Sequence, residues 1–431
     1  MSDMWTPQTA SHPLAGRVSV PGSKSEANRA LLLAALGDAP STIDGLPTSR
    51  DTSLMVDALT QLGASIDANG DSMVVTPPAR WRGGGVIDCG LAGTVMRFVP
   101  PLAMLANGPI RFVGDARASE RPMAGLLDAL RSLGATVQDD ASHDTDRLPF
   151  TLSPPQCWGG APIVIDSTAS SQFVSGLLLA GARYPGGLDL CHVGGPLPSR
   201  PHIDMTIAML IDHGVAVCEP QPNHWIVPPA TLRAADAVIE PDLTNAAAFL
   251  LAGVVTGGWV EVANWPAATT QPGNMIRGVI KAFGGWTRHM DDGSLRAGAD
   301  GPLVAADIDL SAGSELTPVV AVMAGVANGT SHLRGIGHIR GHETDRLAAI
   351  ADALGAVGVD AEILDDGLAI TGTSWRHGGV IDSRGDHRMV HLGALLGLVT
   401  SGVSVVDPGA VAKTMPDFIS RWQSLQTGVA S

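Results

Sequence analysis

Two kinds of apolar segment alternate along the chain. The first is apolar nearly all round, rich in Ala and Leu, ends at glycine and leads into a β-like stretch. It spans Lys24–Gly37, Ala92–Gly108, Ser170–Gly187, Leu243–Gly258, Glu315–Gly329 and Asp386–Gly402. A helix with no polar face is a buried helix, and its Ala and Gly positions let neighbours approach closely. The β-like stretches after it include Ile110–Val113, Trp259–Val262, Ser331–Leu333 and Val403–Val406. The second kind is amphipathic. In Met123–Leu133 the residues Met123, Leu126, Leu127, Leu130 and Leu133 form one stripe at helical spacing. Its relatives end at Gly63, Gly134, Gly214, Gly284 and Gly358, where glycine suits a left-handed C-cap. A strand is expected directly afterwards, as at Ser65–Ile66, Thr136–Val137 and Val215–Val217.

Both kinds return at intervals of roughly 70 residues, too long for a solenoid repeat. The pattern predicts about six α/β units, three in each half, with a boundary near Ala235–Pro241. Apolar helices inside, sheets and amphipathic helices outside, make two similar lobes. A cleft between lobes is a natural ligand site.

Composition narrows the function. Of 431 residues 45% are hydrophobic and 16% charged, a globular balance rather than a disordered one. The net charge of −15 argues against nucleic acid or an anionic membrane as partner. The polar start from Met1 to Leu14 has no apolar signal core, and no run of about 20 apolar residues occurs. Cys89, Cys157, Cys191 and Cys218 show no CxxC spacing and read as reduced thiols. A cytoplasmic protein is the expectation. Of 27 basic residues only Lys24, Lys281 and Lys413 are lysines. Codon bias explains the scarcity but leaves the positions of the survivors to be explained.

Polar residues gather where the apolar helices begin. A helix N-terminus offers unpaired N–H groups and a positive dipole end, so it attracts anions. The first helix opens Pro21-Gly22-Ser23-Lys24-Ser25-Glu26-Ala27-Asn28-Arg29, the second at Ala92-Gly93-Thr94, the third at Ser170-Ser171-Gln172 and the sixth at Asp386-His387-Arg388. Taken singly, Ser or Asp there is most often a plain N-cap. Gly22-Ser23-Lys24-Ser25 lacks the GxxxxGK[ST] spacing of an ATPase loop, and no GxSxG is present. His338 and His342 beside Glu343 do not make HExxH, so no metal site is assigned. Arg117, Arg121, Arg340, Arg346, Arg384, Arg388 and Lys413 sit in short polar stretches between apolar elements. Arginine forks suit phosphate and carboxylate. Glu315 and Glu343 lie in similar stretches, where carboxylates beside arginines either shuttle protons or form salt bridges. Small substrates carrying several negative charges fit this pattern.

These residues also carry a family resemblance. Pro21-Gly22-Ser23-Lys24-Ser25 followed by Asn28-Arg29-Ala30-Leu31-Leu32-Leu33-Ala34-Ala35-Leu36 resembles the N-terminal signature of the 3-phosphoshikimate 1-carboxyvinyltransferase (EPSP synthase) family. Ala92-Gly93-Thr94, Glu120-Arg121-Pro122, Ser170-Ser171-Gln172-Phe173, Glu343-Thr344-Asp345-Arg346, Asp386-His387-Arg388-Met389 and Lys413-Thr414-Met415-Pro416-Asp417 match further motifs in family order. The resemblance implies two lobes, each of three βαβαββ repeats in an inside-out α/β barrel. Residues 1–20 with 238–431 would form one lobe and 21–237 the other, with the active site in the cleft between them. It implies transfer of the enolpyruvyl group of phosphoenolpyruvate to the 5-hydroxyl of shikimate 3-phosphate, releasing phosphate, on the route to chorismate and aromatic amino acids. It implies no cofactor, no metal and a monomer.

By the same resemblance Glu315 matches the base facing the hydroxyl, and Glu343 a proton shuttle at C3 of phosphoenolpyruvate. Lys24 would touch both substrates and serve in proton transfer. Gly93, Arg121, Gln172, Arg346, Arg388 and Lys413 match phosphoenolpyruvate contacts. Ser25, Arg29, Ser170, Ser171, Gln172, Ser199 and His342 match contacts to shikimate 3-phosphate, with Arg200 helping to hold its phosphate. Glu315 stands where Asp is commoner, His342 where Lys is usual, and Leu91 where Asn is usual. Two other readings stand beside this one. The sibling transferase for UDP-N-acetylglucosamine usually carries a reactive Cys in the loop that here runs Val113–Pro122 without one. A non-catalytic anion-binding protein on the same fold would have little use for intact Lys24, Arg121, Glu343, Arg388 and Lys413.

Overall fold

The computed structural model describes residues 3–70, 72–139, 146–160 and 162–427. Its contacts divide the chain into two compact units, Gly22–Ile239 and Met1–Pro21 with Glu240–Ser431.

In the unit Gly22–Ile239 each repeat builds one four-stranded sheet of the same design. Val86–Asp88 runs parallel to Ile110–Val113, which pairs antiparallel with Phe150–Ser153, and Thr136–Asp139 closes the edge. Ile163–Ile165, Leu188–His192, His224–Val227 and Cys218–Gln221 repeat this order. The remaining sheet takes its parallel edge strand, Ala237–Val238, from the far end of the unit, where it joins Ser41–Asp44. In the other unit the N-terminal segment plays the same part. Ala15–Val18 supplies the parallel edge strand beside Trp259–Val262, and Met4–Trp5 pairs antiparallel with Ser404–Val406. One edge strand of the first, of the fourth and of the sixth repeat is thus donated by a segment distant in sequence.

The all-round apolar segments are helices Lys24–Leu36, Gly93–Ala103, Gln172–Gly181, Leu243–Val255, Thr317–Val326 and His387–Val399, and nearly every residue in them is buried. Helix Gln172–Gly181 packs on Gly93–Ala103 and Lys24–Leu36, and Leu243–Val255, Thr317–Val326 and His387–Val399 pack on one another. The amphipathic segments end as their glycines foretold: Gly63, Gly134, Gly214, Gly284 and Gly358 all have positive φ. The Pro100–Pro101 pair lies inside helix Gly93–Ala103. It falls in the last turn, and proline there leaves the carbonyl of Arg97 without its helical donor. Gly176 packs so close that any Cβ would run into that carbonyl oxygen, and the Tyr184 hydroxyl donates to Pro101 O at 2.9 Å. The strand expected at Val215–Val217 begins instead at Cys218. Val215 is buried in the core cluster.

Among the described residues no helix is long and apolar enough to cross a membrane. The four cysteines are free thiols.

Candidate active site

The starts of the buried helices fall into two kinds. Ser23, Asp242 and Asp386 cap their helices through the side chain, accepting from Glu26 N, from Thr244 N and Asn245 N, and from Arg388 N. Helices Gly93–Ala103, Gln172–Gly181 and Thr317–Val326 have no side-chain cap bond. A helix start without a side-chain cap suits an anion.

In the unit Gly22–Ile239 two of these uncapped starts meet. A Cβ placed on Gly93 would lie 2.9 Å from Arg97 Nη1, 3.1 Å from Arg121 Nη2 and 3.1 Å from Gln172 Oε1. Arg97 Nη1 donates to Gln172 Oε1 at 3.0 Å, and its guanidinium lies over the Phe173 ring. Arg121 donates to Leu91 O at 3.3 Å. Leu91 thus enters the site through its carbonyl, which any residue would provide. The Nε of Arg121 is buried without a hydrogen-bond partner, as expected of a group arranged for a ligand.

Lys24 and Ser25 open the first helix, and Lys24 Nζ lies 3.2 Å from the buried carboxylate of Asp51. Arg29, 1% exposed, is fixed from several sides. Its Nε donates to Thr206 Oγ1 at 2.7 Å, and its Nη atoms donate to Ser25 O at 2.8 Å and His202 O at 3.0 Å. Asn28 Nδ2 donates to Thr94 Oγ1 at 2.5 Å, tying the first helix start to the second. Ser170 Oγ accepts from Gln172 N, and Ser171 is buried beside it. Ser199 holds φ +50°, the left-handed region that a non-glycine residue seldom adopts outside a constrained site.

Arg200 opens helix Arg200–Asp212 and is held by carboxylates. Its Nε donates to Asp204 at 2.7 Å and its two Nη atoms grip Glu219 at 2.9 and 2.5 Å. Its hydrogen bonds to Glu219 and then to Asp204 outweigh the opposing effect of burial and raise its pKa.

The other unit brings together Glu315, His342, Glu343, Arg346, Arg388 and Lys413. Glu343 is gripped by Lys413 Nζ through one oxygen and by Arg346 Nη2 at 2.7 Å through the other. Arg346 is 2% exposed and also donates to both oxygens of Asp386, at 2.7 and 3.3 Å. Burial alone would lower its pKa, but Asp386 and Glu343 more than offset this and raise it. Arg346 Nη1 contacts His342 Nδ1 at 2.8 Å. A guanidinium can only donate, so that ring nitrogen carries no proton. Arg388 Nη2 donates to Glu315 Oε2 at 2.9 Å. Glu315 lies in the short turn Ser314–Leu316, just ahead of the helix it was expected to open. His338 sits alongside, its Nε2 2.9 Å from Ser314 Oγ, and burial chiefly lowers its pKa.

Among the described residues no group of three or more His, Cys, Asp or Glu could hold a metal ion. Arg117, Arg340 and Arg384 stay apart, on Glu120, Leu364 O and Asp352. Three partners escaped the sequence reading. Arg97 had a signal, since an arginine one turn inside an apolar helix is costly to bury without a purpose. Asp51 looks like an ordinary first-turn acid of helix Arg50–Gln61. Asp386 had been marked only as a helix start.

Comparison with known proteins decides the family. A family model described as EPSP synthase (3-phosphoshikimate 1-carboxyvinyltransferase) matches residues 8–422. The chain belongs to the EPSP synthase family. A relative from Mycobacterium ulcerans (strain Agy99), named 3-phosphoshikimate 1-carboxyvinyltransferase, is 46% identical over 98% of both chains. The EPSP synthase fold itself is seen in a solved structure from Acinetobacter baumannii, with TM-score 0.79 at 22% identity, covering 99% of this chain and 98% of that one. The enolpyruvyl transferase NikO from Streptomyces tendae aligns with TM-score 0.76 at 19% identity over the same shares. For an EPSP synthase family member the six α/β repeats and the borrowed edge strands are the expected architecture.

Proposed function

We propose that this chain transfers the enolpyruvyl group of phosphoenolpyruvate to the 5-hydroxyl of shikimate 3-phosphate, giving 5-enolpyruvylshikimate 3-phosphate and phosphate. The observation that carries the reading is the 46% identity over 98% of a relative named for this activity. The two constellations support it, because the chemistry needs both anion holders and proton carriers.

Phosphoenolpyruvate is electron-rich at C3. That carbon takes a proton while the hydroxyl attacks C2, and the tetrahedral adduct then loses a C3 proton and phosphate. Glu315 serves as base toward the hydroxyl and Glu343 moves the proton at C3. Gly93, Arg121, Gln172, Arg346, Arg388 and Lys413 hold phosphoenolpyruvate. Ser25, Arg29, Ser170, Ser171, Gln172, Ser199 and His342 hold shikimate 3-phosphate, and Lys24 touches both. Arg200 helps to hold the phosphate of shikimate 3-phosphate. Glu343 already bridges Lys413 and Arg346. A phosphate competing for those cations loosens their hold, and a carboxylate so released accepts a proton more readily. The protein acts as a monomer in the cytoplasm and needs neither metal nor organic cofactor.

Purified protein mixed with both substrates should release phosphate and form the enolpyruvyl product. No release with shikimate 3-phosphate, or release with UDP-N-acetylglucosamine instead, overturns the proposal. Lys24→Met should abolish turnover, and full activity in that variant removes Lys24 from the mechanism.

A further inference from the structure

The loop that presents Ser170, Ser171 and Gln172 is held from behind by a histidine that the mechanism does not use. His192 ends strand Leu188–His192 and is 9% exposed. Its Nδ1 lies 3.1 Å from the backbone N of Ser167, and its Nε2 lies 3.0 Å from the carbonyl oxygen of Gly195. These two partners settle its protonation. A backbone N–H can only donate and a carbonyl can only accept, so Nδ1 is bare and Nε2 carries the hydrogen. The ring is a neutral Nε2–H imidazole, and no other form satisfies both neighbours.

The contact closes a ring of hydrogen bonds. Gly195 N donates to Thr168 Oγ1 at 3.0 Å, and Thr168 N donates to Asp166 Oδ1 at 2.9 Å. Ser167 is fully buried, and its carbonyl accepts from Ser170 N at 3.0 Å. Only one backbone hydrogen bond therefore separates the histidine-held residue from Ser170. The same Gly195 segment leads through Pro196, Leu197 and Pro198 to the strained Ser199. One side chain thus ties together the two stretches assigned to shikimate 3-phosphate, those at Ser170–Gln172 and at Ser199.

We propose that His192 is a positioning residue for the shikimate 3-phosphate site, its bare Nδ1 fixing Ser167 and its Nε2–H fixing Gly195 so that Ser170, Ser171 and Ser199 are presented together. The proposal rests on the assignment of those serines to shikimate 3-phosphate made above. It concerns ground-state geometry, so it predicts an effect on one substrate rather than on chemistry.

Two amide variants separate the two ring nitrogens. In His192→Asn the side-chain oxygen can take the place of Nδ1 and keep Ser167. In His192→Gln the terminal amide can take the place of Nε2 and keep Gly195 while Ser167 N is left buried without an acceptor. Leaving one buried donor unmade is worth about tenfold in an equilibrium. His192→Gln should therefore raise KM for shikimate 3-phosphate by about tenfold, with kcat and KM for phosphoenolpyruvate changing much less. His192→Asn should restore most of that loss. Amide exchange in labelled protein should show Ser167 protected in the wild type and in His192→Asn and unprotected in His192→Gln. Equal effects of the two variants on both KM values, or loss of Ser167 protection with no change in KM, would overturn the positioning role. A wild-type protein that protects Ser167 but gives no turnover with shikimate 3-phosphate would instead defeat the functional assignment, and this proposal with it.

Discussion

Gly93→Ala isolates a single steric effect. Gly93 does not occupy the left-handed region, so alanine meets no backbone penalty, and as a helix residue alanine is favoured by roughly 0.5–1 kcal/mol. The cost lies in what the new methyl meets, at 2.9 Å from Arg97 Nη1, 3.1 Å from Arg121 Nη2 and 3.1 Å from Gln172 Oε1. Ordinary contacts fall near 3.5–4.0 Å, so each neighbour must give by about half an ångström. Arg97 and Gln172 are bonded to each other at 3.0 Å, and Arg97 is further held over Phe173. Arg121 is held by a longer bond of 3.3 Å and is the group that yields. Losing one well-placed charged donor costs about 1.5–3 kcal/mol. At 1.4 kcal/mol per factor of ten, KM for phosphoenolpyruvate should rise roughly 10- to 150-fold. Steady-state kinetics with each substrate varied in turn, beside a thermal melt, make the test. KM for shikimate 3-phosphate and the melting midpoint should stay near wild type. An unchanged KM for phosphoenolpyruvate, or an equal rise in both KM values, refutes the reasoning.

Three further outcomes follow from the other unit. Asp386→Asn takes from the buried Arg346 the carboxylate that accepts from it twice, and breaking such a pair costs about 3–5 kcal/mol; a denaturant midpoint equal to wild type would contradict this. His391 is buried against the Phe418 ring, and burial first, then Arg388 and Arg346, push its pKa from 6.5 down to about 3. Above pH 6.5 the ring is neutral whether the chain is folded or not. As pH falls from 6.5 toward 3 the unfolded chain takes up a proton that the fold refuses, so stability drops by up to about 1.4 kcal/mol per pH unit. His391→Leu should lose less stability than wild type between pH 7 and pH 5 in urea melts, and parallel losses would refute the assignment. Glu343→Gln removes the charge that competes for Lys413 and Arg346. It should abolish turnover while tightening phosphoenolpyruvate binding by calorimetry, and weaker binding would show that Glu343 does not compete.

The repeat was legible because two physical signals coincide in it. Each buried helix must be apolar all round, as Leu243–Val255 is, and each outer helix must stop where its strand begins, which places a positive-φ glycine at Gly134 or Gly284. Borrowed strands leave no such mark. Ala15–Val18 and Ala237–Val238 are short, and nothing in their composition says which sheet they join. Only the family resemblance pointed to an exchange at the N-terminus. Site residues showed the same divide. Lys24, Arg121 and Lys413 stood out as charges at the edges of apolar runs. Asp51 did not, because an acid in the first turn of a helix is common for reasons unrelated to chemistry. At Arg200 the sequence shows a cation without showing Asp204 and Glu219 around it.

Formal charge therefore describes these constellations poorly. Lys413, Arg346 and Arg388 are cations by type, yet they are matched one for one by Glu343, Asp386 and Glu315. In the unit Gly22–Ile239 the balance differs, with Lys24 on Asp51 while Arg121 is held by the neutral carbonyl oxygen of Leu91. An anion meeting the second group gains attraction directly. An anion meeting the first must displace carboxylates already in place, so its binding energy is spent on freeing them. That exchange is useful where a carboxylate must change its proton during each turnover. A site of unopposed cations would hold phosphate well but would contain no group able to carry the proton.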